Sequence, residues 1–343
     1  MPSITPTSSG AIFKTMRRYA GRSANIASVL TSVKKLVIPR YRTVEVIPIT
    51  SLPSLNTSKA SYPQELRLRL KWIFKEDEAL RIKGLIIDLD GCVYVGNKVV
   101  EGVPEALEEL AKRGIKLLYL TNNSSKTAYE YSKKLKDMGI KAETNDILTS
   151  AEATACYIAE RYGARGKKVF LIGSEAFKAE LEKRGLAVVD SLDVDFVVLG
   201  VDFSFNYDKL TKACRAILRG AKFIASNLDA TIPSEEGILP GAGSLASAVT
   251  KATGVKPIVV GKPSKRIILE ALRRLGVGKE EVAIVGDRIE TDIKAGKSTD
   301  IYTILVLTGV TSLEKLLEVD EKLRPDLVID SLADIVKALE HLS

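Results

Sequence analysis

The chain has one histidine, His341, close to its C-terminal end, and one glutamine, Gln64. Histidine is the usual general base of a catalytic triad and the commonest nitrogen ligand of a metal. Its scarcity excludes those chemistries and leaves carboxylates, lysine, threonine and asparagine for any reaction. The three cysteines, Cys92, Cys156 and Cys214, lie far apart, with no C-x-x-C and no zinc spacing. Neither a disulfide framework nor a metal knuckle is indicated. Cys92, beside two aspartates, reads as a small buried filler or as a nucleophile. No apolar run reaches the roughly 18 residues of a membrane helix, so no membrane partner is expected. Acidic residues are missing altogether from residues 1–44, which hold eight Lys and Arg. The remainder carries 43 basic and 43 acidic residues, so the net charge of +8 belongs to this lead. Nothing after it has the electrostatic footprint of a nucleic-acid-binding surface. An Arg/Ser-rich, acid-free lead resembles an organelle transit peptide. A start placed too early, with Met16 as the internal alternative, leaves the same composition, and a cytoplasmic protein is the expectation favoured over organellar targeting.

Of what is present, residues 84–93, GLIIDLDGCV, organise the rest. A short apolar run bounded by turn residues reads as a buried strand of a parallel sheet. Side chains two apart on an extended chain share a face, with Cα atoms about 6.5 Å apart. Asp88 and Asp90 are therefore placed to converge on one ligand beyond the carboxyl end of the strand, where open α/β sheets bind ligands. Gly91 allows the turn and a close backbone approach. Taken alone, D-x-D-G is equally a turn with a cap.

A length of 343 residues implies two domains plus additional material. Residues 48–63, with Pro48, Pro53, Pro63 and four serines, read as linker. Leu66–Trp72 alternates like a strand, although Pro63 and the Glu/Lys run that follows suit a helix. From residue 84 the pattern becomes regular. Val93–Val95 and Val99–Val100 flank Gly96-Asn97 as a small hairpin. Pro104 opens a helix that Gly114 closes. Lys116–Leu120 is a strand ending in Thr121-Asn122-Asn123, and a helix capped by Ser124 or Ser125 follows. Thr149-x-x-Glu152 is a capping box for a helix running to Gly163. Further strands are expected at 168–172, 195–201 and 222–226, and helices at 175–184, 208–219 and 242–253. Ile258–Val260 leads into Gly261-Lys262-Pro263, Val282–Val285 into Gly286-Asp287, and Tyr302–Leu307 into Thr308-Gly309. This alternation implies an α/β fold with a doubly wound, mostly parallel, Rossmann-like sheet. Gly296-Lys297-Ser298 mimics a P-loop end, but Thr291 stands where the motif needs glycine. Gly241–Ala246 matches G-x-G-x-x-A without a preceding strand or a later acidic partner. Both read as packing glycines.

Four strand ends carry reactive groups: Asp88 with Asp90, Thr121 with Asn122, Lys262, and Asp287 with Asp292. Carboxylates from two strands suit Mg²⁺, a hard cation. A hydroxyl, an amide and an ammonium beside them suit phosphate oxygens. An aspartate can attack phosphorus without help from histidine.

Asp88-Leu89-Asp90-Gly91-Cys92-Val93, Thr121-Asn122-Asn123, Gly261-Lys262-Pro263 and Gly286-Asp287-Arg288-x-x-Thr291-Asp292 together resemble the haloacid dehalogenase superfamily. More narrowly they resemble its subclass IIA, the NagD-like group of p-nitrophenylphosphatases, phosphoglycolate phosphatases and pyridoxal phosphatases. Asn227-Leu228-Asp229 with Pro233, Gly237 and Pro240-Gly241-Ala242-Gly243 is similar to that group's cap-to-core signature. The resemblance covers roughly residues 82–343. It implies a core at 82–149 and 256–343 and an inserted α/β cap at 150–255 that sets specificity; residues 1–81 have no counterpart in it and read from their composition as a basic, poorly ordered extension and linker.

The resemblance also implies an Mg²⁺-dependent phosphatase of small phosphomonoesters, working through an aspartyl-phosphate, and a homodimer. Asp88 would be the nucleophile and Asp90 the general acid and then base. Mg²⁺ would be held by Asp88, the Asp90 carbonyl and Asp287, with Asp292 supporting through water. Thr121, Asn122 and Lys262 would hold the phosphoryl group. Alternative readings are a phospho-accepting receiver-type signalling domain, opposed by Asp90 and the cap, and a phosphotransferase on the same fold.

Overall fold

The structure, a computed structural model, describes residues 36–38, 42–46, 70–72, 81–234 and 237–342. The chain divides into two compact units, Met1–Glu78 with Glu314–Arg324, and Ala79–Leu313 with Pro325–Ser343. In the first unit Leu36–Ile38, Arg42–Val46 and Leu70–Trp72 form a three-stranded antiparallel sheet. The end of the 66–72 segment is thus a strand. The expected linker at 48–63 and most of the basic lead lie outside the described residues. Among the described residues no helix is long and apolar enough to cross a membrane.

The second unit is built on a six-stranded sheet in which every neighbouring pair is parallel. Its order is Leu327–Ile329, Tyr302–Val306, Val282–Gly286, Gly84–Asp88, Lys116–Thr121, Ile147–Thr149. The central strands Gly84–Asp88 and Val282–Gly286 are buried almost throughout, as expected where helices cover both faces. Side-chain alternation sorts Leu85 and Ile87 to one face with helices Val103–Lys112 and Ala128–Asp137. It sorts Ile86 to the other face with helices Ser150–Tyr162 and Lys265–Leu275. The latter helix buries Ile267, Ile268, Ala271 and Leu275 as one stripe, so Ile268→Ala there costs about 2–5 kcal/mol.

The insert forms a second, five-stranded parallel sheet. Its strands run in the order Ala187–Val188, Lys168–Ile172, Phe196–Leu199, Lys222–Ala225, Ile258–Val259, the last lying beyond residue 255. Helices Tyr207–Leu218 and Ala242–Thr253 cover one face. The other face shares its apolar cluster with the first sheet, through Val169, Phe177, Phe196 and Ile224. A hairpin, Thr231–Ser234 with Gly237–Pro240, lies in the chain between strand Lys222–Ala225 and helix Ala242–Thr253.

Two helix starts differ from the sequence reading. The helix after Thr121 begins at Ala128 and is capped by Thr127 in a full capping box with Glu130, not by Ser124 or Ser125. The reason is local: the Asn123 side-chain oxygen accepts from both the Ser125 N–H and its hydroxyl, which holds Ser125 in a turn. Thr149 does accept from Glu152 N–H, but the Glu152 carboxylate turns to Arg274 (2.6 Å) instead of back to the cap. Only half of that box is made. The two decoy motifs are packing glycines. A Cβ on Gly296 would collide with Thr303 and Ile284, and one on Gly243 with the Leu228 carbonyl.

Candidate active site

Three of the four singled-out strand ends lie at the carboxyl edge of the six-stranded sheet; the fourth, Lys262, follows Ile258–Val259 of the five-stranded sheet and reaches that edge with its side chain. Asp88 is the last residue of its strand, and Leu89 beside it is fully buried. This anchors Asp90 two residues on, at the rim. Gly91 has φ +86, and a Cβ there would run into the Asp287 carboxylate. The glycine is therefore required both by the turn and by the approach of a carboxylate from the neighbouring strand.

Lys262 is the centre of the cluster. It is 3% exposed, and its Nζ lies 2.5 Å from Asp88 Oδ1 and 2.6 Å from Asp292 Oδ1. Asp292 is fully buried; its Oδ2 accepts from the Arg288 N–H at 3.1 Å and the Thr291 hydroxyl at 3.3 Å. Asp287 Oδ2 accepts from the Val310 N–H at 2.7 Å, while its Oδ1 is buried and has no hydrogen-bond partner among the described residues. Thr121 is buried, and its hydroxyl accepts from the Asn123 N–H.

Asn122 acts first as a pin. Its Oδ1 accepts from the Lys262 N–H at 2.8 Å; its Nδ2 donates to the Lys262 carbonyl at 3.0 Å and to Asp229 Oδ2 at 3.1 Å. Its own carbonyl accepts from Asn227 Nδ2 and from the Ser150 hydroxyl. The Asn122 side chain thus fixes the Lys262 backbone, although the cavity also reaches it. The sequence reading noted Asn227 and Asp229 only as part of a junction signature, and here they brace the loop at 121–123. It named Arg288 only within a motif and did not single out Tyr94, Lys126, Tyr131 or Lys134; all five line the same cavity of about 470 Å³ with Asp88 and Asp90. One signal was available for two of them. Tyr131 and Lys134 are three apart on the Ala128–Asp137 helix, hence on one face.

The charges follow from burial. Desolvation raises the Asp88 carboxyl well above its ordinary value; Lys262 opposes this, and Asp292 and Asp287 add to it. Desolvation also raises Asp90, against the pull of Lys134, Lys262 and Arg288. Asp287 is pushed up to about 6, by burial first and by the Asp292 charge second. Burial works against the Lys262 ammonium, but Asp292 and Asp88 outweigh it and hold its pKa above the ordinary value. Lys262 is therefore a permanent cation, and it does not balance three carboxylates.

That surplus of negative charge suits a divalent cation. Oxygens of Asp88 and Asp287, with the Cys92 sulfur, lie within 4.8 Å of one another. Burial, and then the nearby carboxylates, keep the Cys92 thiol protonated, so the available ligands are hard oxygens. The unpartnered Asp287 Oδ1 is what a hard cation would satisfy. Mg²⁺ fits this donor set.

The profile described as Haloacid dehalogenase-like hydrolase matches residues 85–187, and a second, HAD-hydrolase-like, matches 259–335. An acid sugar phosphatase of Staphylococcus saprophyticus is 41% identical over 259 residues, which are 75% of this chain and 98% of that protein. The structure of a p-nitrophenyl phosphatase from Archaeoglobus fulgidus superposes with a TM-score of 0.71 at 38% identity, covering 75% of this chain and 99% of that one. A glycerol phosphate phosphatase from Mycobacterium tuberculosis in complex with magnesium gives a TM-score of 0.70 at 34% identity, over 76% and 77% of the two chains. The same enzyme is also known in complex with calcium.

Proposed function

The chain belongs to the haloacid dehalogenase-like hydrolases and is a phosphatase, and from that premise we propose that it hydrolyses small phosphomonoesters with Mg²⁺ through a phosphorylated Asp88. The observation that carries the reading is the pairing of one buried ammonium with Asp88 and Asp292, with Asp287 close to Asp88 and with Asp90 lining the same cavity as Asp88 and Lys262.

An Asp88 oxygen attacks phosphorus, and the bond from phosphorus to the ester oxygen breaks. Asp90, whose carboxyl is raised above its ordinary value by burial, gives a proton to that oxygen, and the alcohol departs. Asp90, now ionised, takes a proton from water. The water oxygen attacks phosphorus, the bond to Asp88 breaks, and inorganic phosphate leaves. Lys262, Thr121 and Asn122 hold the transferring group, Lys262 by its fixed charge and Asn122 also by pinning the Lys262 backbone. The Asp88 and Asp287 carboxylates and the Asp90 carbonyl would hold Mg²⁺, supported by Asp292; when bound it neutralises the phosphoryl oxygens, which is most of what phosphoryl transfer requires. Residues 82–149 and 256–343 form the catalytic core in this reading and 150–255 the cap, except that Ile258–Val259 completes the sheet of the cap. A phospho-accepting switch requires neither an acid at 90 nor a cavity of about 470 Å³ beside the acceptor. The homodimer is carried as part of the proposal and is read by sedimentation.

The test separates the two half-reactions. Asp90→Asn with p-nitrophenyl phosphate should release a burst approaching one nitrophenolate per subunit and then turn over slowly, since that leaving group requires no proton but the phosphoenzyme requires a base. Acid-quenched mass spectrometry should place the phosphoryl on Asp88, and Asp88→Asn should abolish both phases. Linear release with no phosphoryl on Asp88 would mean that water attacks phosphorus directly.

A further inference from the structure

At about 470 Å³ the cavity is far larger than a phosphoryl group, and the charges on its walls are unequal. Lys262 is engaged by Asp88 and Asp292. Three more cations line the same space, Lys126, Lys134 and Arg288, and all three come from the core. Lys126 follows the loop at 121–123, Lys134 projects from the Ala128–Asp137 helix, and Arg288 directly follows Asp287. Each pulls on the charge of Asp90, the acid assigned to the leaving oxygen. All three share that space with Asp90 and add positive charge beyond Lys262.

Lys134 is partly committed, donating to the Gly96 carbonyl at 2.9 Å with its Nζ 3.5 Å from the Tyr94 ring centroid. Lys126 and the guanidinium of half-buried Arg288 have no hydrogen-bond or ion-pair partner among the described residues. The wall supplied by the insert is different in kind. Among the described residues of that wall Val201 and Ile232 are apolar, Thr231 and Asn227 are neutral, and the one carboxylate, Asp229, is occupied by Asn122. A neutral alcohol would leave the Arg288 fork without an acceptor in a partly desolvated cleft. A carboxylate or phosphoryl matches that fork with two parallel hydrogen bonds.

Resting on the phosphatase reading above, we propose that the preferred substrate carries a second anionic group on its alcohol portion, a carboxylate or a further phosphoryl, received by Arg288 and Lys126. Charge selection then belongs to the core, and the insert supplies shape and an apolar wall.

Matched esters test this. D-3-Phosphoglycerate and glycerol 3-phosphate share a skeleton and differ by a carboxylate in place of a hydroxymethyl group. Fructose 1,6-bisphosphate and fructose 1-phosphate form the phosphoryl pair. The anionic member of at least one pair should have a kcat/KM about tenfold or more above its neutral partner, carried in KM, with the ratio falling as NaCl is raised. The pair that shows the preference identifies the second group. Arg288→Gln and Lys126→Gln should bring the ratio toward one by raising KM for the anionic member. Equal kcat/KM within both pairs, or variants that lower both members by the same factor, overturn the proposal. Inactivity toward every ester, p-nitrophenyl phosphate included, overturns the phosphatase reading instead.

Discussion

Replacing Asp287 by asparagine should make the metal-free protein more stable while destroying its response to Mg²⁺. The Asp287 carboxyl is 1% exposed, and burial and the neighbouring Asp292 push it from an ordinary value of 3.8 to about 6. A pKa raised on folding means the protonated form is favoured in the native state. That contribution to stability is fully present below the ordinary carboxylate pKa and is lost as pH rises through about 6. A shift of about two units corresponds to roughly 3 kcal/mol. At pH 7.5 without metal, therefore, an ionised Asp287 costs the fold about that much relative to acid conditions. Asparagine keeps the shape and removes the charge. It weakens the bond accepted from the Val310 N–H, a loss of about 1 kcal/mol. The net gain is about 2 kcal/mol, and Tm should rise by roughly 4–8 °C in EDTA at pH 7.5. Below about pH 4, where the wild-type carboxyl is itself protonated, the gain should vanish. Mg²⁺ should raise the wild-type Tm increasingly between pH 4 and 7 and leave the variant nearly unmoved. Thermal melts across that range, with EDTA or Mg²⁺, read all of this. A variant less stable than wild type in EDTA at pH 7.5, or one stabilised equally by Mg²⁺, would refute the placement of an uncompensated carboxylate at 287.

Calcium should bind but support turnover at least about tenfold more slowly than magnesium, because its larger and looser coordination misplaces Asp88; equal rates in the two ions would count against the assigned ligands. Arg274→Met should destabilise the protein by about 3–5 kcal/mol, since Arg274 pairs with Glu152 at 2.6 Å and Glu270 at 3.0 Å and both carboxylates are buried. Urea denaturation measures that loss, and kcat per folded molecule should be unchanged. Thr127→Ala removes the capping-box hydroxyl of the Ala128–Asp137 helix and should cost about 1 kcal/mol by the same method. Removing residues 1–80 should leave kcat and KM within about twofold, because every proposed site residue lies after Gly84 and exposed connecting segments tolerate cuts; a folded truncation with tenfold lower activity would show that the lead belongs to the enzyme.

Much of the site was legible because its information is local. Apolar runs ending in Asp88, Thr121 and Asp287 mark the carboxyl ends of parallel strands, and the sheet places those ends on one edge. Helix caps were less legible, since several hydroxyls compete for each start. Ser125 was taken by Asn123 before it could cap anything, and Thr127, three residues before Glu130, completed the box. Glu152 had the right spacing for a box and lost that role to Arg274, a residue more than 100 positions away.

What the sequence by itself determined was therefore the order of strands and helices, the residue types at the strand ends, and the exclusion of histidine and thiolate chemistry. These depend on periodicity and on which side chains exist. Tertiary structure alone decided the pairings. Lys262 meets Asp88 across 174 residues and Asn122 across 140, and Asn122 meets Asp229 across 107. Such contacts have no periodic signature, because the intervening chain leaves the sheet, builds a second one and returns. The same closure buries Asp287 Oδ1 without a partner among the described residues and sets Arg288 and Lys126 in the cavity wall. Partner, burial and local charge density are properties of position in space, and they gather a set of common polar residues around one buried ammonium and one cavity.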